Sequence, residues 1–135
     1  MSTQLTQRGK KGCLGCAGAV ALVVLISMLH YANSPEKAND EARRAGSRGV
    51  LRTETGESIL VASSEDAFDQ MTKAAIAGDE VGLRQLTLAG LVGSVPSGTR
   101  ILVIDQAVYT RQVRFESGDL TGQTAWVAYE HIQAR

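Results

Sequence analysis

The sequence predicts an α+β chain in which one membrane-spanning helix and a polar stalk precede two short helices and a small all-β C-terminal domain. Three observations predict it. An uncharged apolar run occupies 13–32, apolar residues recur at three- and four-residue spacing between 67 and 86, and short apolar runs separated by Gly and Pro turns follow 91. A chain of 135 residues has room for one compact domain beside such a segment.

The apolar run CLGCAGAVALVVLISMLHYA holds twenty residues without Asp, Glu, Lys or Arg, about the number that crosses a hydrocarbon core as a helix. His30 and Tyr31 stand at its far end, where polar tips reach headgroups. Arg8, Lys10 and Lys11 precede it within a tail, 1–12, that has no acidic residue. That bias predicts a cytoplasmic N-terminus, with everything after the run outside the cytoplasmic membrane. A cleaved leader would want small residues at the last and third-last places before the cut, and cutting after Ala32 puts His30 there. A lipid-modified cysteine would follow the apolar stretch, whereas Cys16 lies at its start. Gly12, Cys16, Gly15 and Ala19 stand at four-residue intervals, a pattern that lets a second helix approach and suggests a homo-oligomer through the membrane helix.

Residues 33–58 read as a polar stalk or linker. Asn33, Ser34 and Pro35 offer a helix start, and the following residues are polar on all sides as far as Gly46, so a short solvated helix or a flexible tether is expected, with Arg43 and Arg44 in water. From 47 to 58 no apolar period appears. Residues 59–90 form the helical region. Ile59, Leu60 and Val61 suit a short strand or a docking segment, and Ser63, Ser64, Glu65 and Asp66 look like a helix cap. Ala67, Phe68, Met71, Ala74 and Ala75 then give one apolar face as far as Gly78, and a second helix runs from Asp79 to about Gly90 with Val81, Leu83 and Leu86 apolar.

Residues 91–135 change to a β pattern. A first strand ends at the Pro96, Ser97, Gly98 turn, and the apolar run up to Ile104 suits a strand covered on both faces. Between 108 and 115, Tyr109, Arg111, Val113 and Phe115 share one face, and Thr110, Gln112 and Arg114 the other. A loop from Gly118 to Gly122 leads to Trp126 and Val127, and one helical turn from Tyr129 closes the chain. Four or five short strands with tight turns predict a small closed barrel.

Val95 to Thr99, the strand end Val103, Ile104 and Asp105, then Val113 with Arg114, Gly118, Gly122, and Trp126 with Val127 together resemble a bacterial Src homology 3-like domain. The resemblance covers about the last third of the chain. It implies a barrel that binds peptides, cell-wall material or another domain, and the preceding helix pair resembles an extension packed against that barrel in membrane-tethered or secreted relatives. In that family a Gly usually precedes the Trp and a Pro often follows the Val. Here Ala125 and Ala128 hold those places.

After Asn33 the chain carries eleven basic and fourteen acidic side chains, a mildly acidic balance without the footprint expected of a nucleic-acid partner. Cys13 and Cys16 have the spacing of half a zinc or redox motif but no second pair, so neither a disulfide framework nor a metal or other cofactor is expected. The region after the apolar run holds no Cys and a single His, His131, and its acidic pairs stand at helix starts where the dipole favours them. The reading is therefore non-catalytic. It is an interaction module for a protein or cell-wall ligand, or else a small structural subunit that meets partners through its membrane helix. Tyr109, Trp126 and Tyr129 are the expected flat ligand contacts, with Trp126 otherwise completing the core, and Arg111 and Arg114 the charged ones. Arg111, a charge on an apolar face, is expected at the barrel rim or paired with Asp105 or Asp119.

Overall fold

The structure, a computed structural model, describes residues 35–135. The apolar run 13–32, its orientation and its cysteine pair lie outside the described residues, and among these no helix is long and apolar enough to cross a membrane. Residues 35–135 form a compact unit with its own core.

The protein is α+β. Helix α1 (Pro35–Ala42) is followed by β1 (Arg48–Leu51) and β2 (Ile59–Ala62), the helix pair α2 (Glu65–Ala77) and α3 (Glu80–Leu88), then β3 (Val92–Val95), β4 (Arg100–Gln106), β5 (Thr110–Phe115) and β6 (Thr124–Ala128). A 3-10 turn (Tyr129–His131) leads into β7 (Ile132–Gln133). All seven strands join one antiparallel sheet in the order β3-β2-β6-β5-β4-β1-β7.

One face of that sheet makes the core. Leu51 and Ile132 near one end, Ile59 and Val95 at the other, and Ile101, Val103, Val113 and Phe115 between them belong to a single buried cluster. Strands at opposite ends of a flat sheet could not share one cluster, so the sheet curls about its inner face. The alternation that produces this is plain in β4, where Ile101 and Val103 are buried while Leu102 and Ile104 are only half-buried. The expectation that this run is covered on both faces fails, because Leu102 and Ile104 keep part of their surface in solvent.

The helix pair covers another part of the outer face. Directly opposed residues share a face, and the register sets Ala62 opposite both Val92 and Trp126. Ala67 and Met71 of α2, buried but outside the main cluster, supply the matching apolar stripe, and α2 touches β2, β3 and β6. The helix starts where the sequence places it: Ser64 Oγ accepts a hydrogen bond from the Ala67 amide at 3.1 Å. It stops at Gly78, whose φ of 66° is a left-handed conformation that favours glycine. Asp79 caps α3 in turn, accepting from the Gly82 amide at 2.8 Å. No residue of α3 is buried.

The expected stalk is largely folded. Within the stretch expected as a linker, Arg48–Leu51 pairs with β4 on one side and β7 on the other. Helix α1 forms from Pro35 as anticipated, but it is docked rather than solvated, with Ala42 buried in the core cluster. Asn39 Oδ1 accepts from the Ala134 amide at 2.8 Å, and Arg43 Nε donates to the Ile132 carbonyl at 3.2 Å. Gly49 permits this approach, because a Cβ there would stand 2.9 Å from the Gln133 carbonyl oxygen and 3.6 Å from the Ala42 methyl.

Candidate functional site

Away from the helix pair, the outer face of β1, β4 and β5 exposes Arg48, Arg100 and Arg114, with Val50 buried beside them. The pairings Arg48 with Leu102, Leu102 with Arg114 and Arg114 with Thr124 set these four side chains in one row across neighbouring strands. Strand spacing of about 4.8 Å puts the backbones of Arg48 and Arg114 about 10 Å apart, with Leu102 between them. Arg100 lies two residues from Leu102 and so on the same face. Arg135 follows β7 and reaches this edge, its Nη2 standing 3.4 Å from Glu116 Oε2.

Glu116 is the acid among these arginines. Its Oε1 accepts from Arg48 Nε at 2.8 Å. The hydrogen bond from Arg48, followed by the fields of Arg48, Arg135 and Arg100, outweighs desolvation and holds the Glu116 carboxyl below the usual carboxylate range. The same bond raises the Arg48 pKa. Three arginines thus act on one glutamate, and among the described residues neither Arg100 nor Arg114 has a carboxylate at ion-pairing distance. Glu41 of α1 lines a hollow with Arg48, Arg135 and Ala38 at the border of the patch.

Trp126 stands where the bare and covered halves meet, opposite Gln112 on one side and Ala62 on the other. It is half-buried and lies outside the main core, contrary to the reading that it completes that core. Arg114 and Trp126 are therefore diagonal neighbours on one surface.

The other three candidate residues gather at a different corner. Arg111 is on the inner face with Val113 and Phe115, at the end of the core. It finds neither Asp105 nor Asp119. Its Nε donates to the Arg43 carbonyl at 2.8 Å, and its Nη1 donates to the carbonyls of Ala107 at 2.5 Å and Thr110 at 2.7 Å. The guanidinium carbons of Arg43 and Arg111 stand 5.1 and 5.8 Å from the centroid of the Tyr129 ring. The Tyr129 amide donates to the Tyr109 carbonyl at 3.1 Å. Tyr109 precedes β5 instead of lying within it, and its side chain projects into solvent, 73% exposed, beside the exposed Val108. This corner is a structural clamp that ties α1 to the β4–β5 turn, with Tyr109 as its one fully accessible member.

Two further hollows flank α2. One of about 560 Å³ lies between α2 and α3, lined by Lys73, Ala74, Gly82 and Leu86. Another of about 400 Å³ lies between α2, β2 and the 3-10 turn, lined by Leu60, Phe68, Met71, Ile76 and His131. Among the described residues no group of three or more His, Cys, Asp or Glu side chains could hold a metal ion.

Arg48, Arg100, Arg135 and Glu116 were not candidates from the sequence. Their spacing along the chain carries no motif, and only the pairing of β1 with β4 and β7, and of β4 with β5, sets them side by side. No family model matches the chain, and neither does any curated protein or solved structure.

Proposed function

We propose that the protein is a membrane-tethered, non-catalytic interaction module, held by the helix at 13–32 with its N-terminus in the cytoplasm and its folded domain outside. The domain, on this reading a small Src homology 3-like barrel with an appended helix pair, presents its bare sheet face to a protein or cell-wall component. The observation that carries the reading is that face itself. It carries four exposed arginines with the half-buried Leu102, Ile104 and Trp126, away from the helix pair. Arginine and tryptophan are residue types enriched where proteins bind.

The test is retention of residues 35–135 on purified peptidoglycan and on immobilised envelope extract, beside the R114E and W126A variants. Retention of the wild type on one of the two, reduced in both variants, is the expected result. No retention on either counts against an interaction module. The small residues at 12, 15, 16 and 19 favour a second reading, a structural subunit that contacts partners through the membrane helix. Exchange of 13–32 for a poly-Leu span abolishes function under that reading and leaves the interaction module working.

A further inference from the structure

We infer that the free edge of β3 pairs with the same strand of a second copy of the chain, antiparallel and about a two-fold axis at Gly93, so that the domain dimerises by continuing its sheet. The inference goes beyond the proposed function, since it concerns another part of the surface and depends neither on the arginine face nor on the anchor.

The sheet has two ends, and one of them is closed. At the β7 end the Arg52 amide donates to the His131 carbonyl, so Val50 and Gln133 form a hydrogen-bonded pair and the main-chain groups of Ile132 point outward. Helix α1 meets that edge: Arg43 Nε donates to the Ile132 carbonyl, and Asn39 Oδ1 accepts from the Ala134 amide. At the β3 end the Ser63 amide donates to the Leu91 carbonyl at 2.9 Å. By the antiparallel alternation Val61 with Gly93 and Ile59 with Val95 are then the bonded pairs, and the amides and carbonyls of Val92 and Ser94 point away from β2. Among the described residues no strand lies on that side, and no backbone group of another element reaches them.

Native sheets keep such edges apart with charge. This edge has none. The stretch 85–99 runs fifteen residues without Asp, Glu, Lys or Arg, the longest such run after Asn33, and β2 beside it lies within another, 58–64. Three exposed leucines belong to the same segments: Leu60, opposite Ser94 on β2, Leu88 at the end of α3, and Leu91 just before β3. Helix α3 touches β3, yet its best-covered apolar residues, Leu83 and Leu86, are only half-buried. An uncharged, partly apolar strand with unpaired main-chain groups is what a second strand completes.

A copy of β3 matches that edge in length and in charge. The free groups of an antiparallel edge are self-complementary about a two-fold axis. With Gly93 of both copies at the axis, Val92 of each stands opposite Ser94 of the other and exchanges both its bonds with it. The edge is short, because Pro96 has no N–H to give and Gly90, at a φ of 72°, turns the chain out of the strand. In this register Pro96 of one copy lies opposite Gly90 of the other, so the two strands end together. A longer foreign strand would run past both ends. Two uncharged edges also meet without opposing like charges, although the soluble part of the chain is mildly acidic.

Sedimentation equilibrium of residues 35–135 is expected to show a dimer whose fraction rises with concentration up to about 500 µM. S94P removes one outward N–H while leaving the bonds to β2 in place, and S94K sets a charge on the edge. Each, with a circular-dichroism melt close to that of the wild type, is expected to weaken dimerisation at least about tenfold, and S94K is the variant read if S94P does not fold. The register has its own readout. Residues 35–135 hold no cysteine, and a Cβ at Gly93 meets only Val61 Cγ2 at 3.7 Å, so G93C adds a single accommodated thiol. Directly opposed residues of a non-bonded antiparallel pair have Cα atoms about 4.5 Å apart, within disulfide reach, so G93C is expected to form a covalent dimer under mild oxidation and G93C/S94K to remain monomeric. A wild-type domain that is monomeric at about 500 µM overturns the inference and leaves the edge to a strand of another protein. A dimer that the folded S94P or S94K variant leaves intact overturns it too, as does a dimer in which G93C does not crosslink. Retention on peptidoglycan or envelope extract is a separate readout, so failure of the interaction module and failure of the dimer are told apart.

Discussion

At the scale of single residues, the most consequential side chain is Arg111. A guanidinium that donates to three backbone carbonyls and stacks against Tyr129 neutralises the polarity of a turn that would otherwise cap the core poorly. Lysine reaches one of those carbonyls at a time and lacks the planar fork. R111K is therefore expected to destabilise the domain by about 2–3 kcal/mol, read by urea denaturation of residues 35–135. Glu116 makes a different prediction. Its carboxyl titrates below its unfolded value, so its contribution to stability is full above the ordinary carboxylate pKa and is lost as pH falls through the folded one. The melting temperature of E116Q should thus lie below that of the wild type at pH 7 and converge with it toward pH 3, and added salt should narrow the gap at neutral pH.

Among the elements, the helix pair was the most legible in the sequence. Ser64 and Asp79 cap their helices, Gly78 ends the first, and Ala67 with Met71 bury the face that the spacing predicts. S64A should accordingly cost about 1 kcal/mol in thermal or urea unfolding, because it orphans one helix-start amide. The strands β3 to β6 and the turn after Trp126 were also legible, although the unbroken apolar run of β4 hid which of its faces is buried. What sequence reading lost was β1 and β7. Arg48–Leu51 offers two large apolar residues beside a glycine, too short a run to show a period, and Ile132–Gln133 is shorter still. Their strand character comes from partners distant in the chain. The docking of α1 was hidden for a related reason: its contacts are polar side chains bonding to backbone, with Ala42 alone entering the core. The candidate site was half legible. Arg114 and Trp126 lie on the proposed surface, whereas Arg111 and Tyr129 meet at the corner between α1 and the β4–β5 turn.

Across the whole molecule, the position of β1 between β4 and β7 governs how the fold comes together. Val50 pairs with Arg100 on one side and Gln133 on the other, so the first strand of the domain is completed by its last residues. Removing 132–135 deletes the Ile132 side chain from the core, the partner of Leu51 and the amide that bonds Asn39. That truncation should leave residues 35–131 without a cooperative melting transition, and a sharp transition near the wild-type temperature would show β7 to be dispensable. The same arrangement has a kinetic consequence. Pairings between residues far apart in the chain close large loops, which slows folding. Until β4 and β7 are both in place β1 is an open edge that a strand of a second molecule can occupy, so the yield of refolded protein should fall as protein concentration rises.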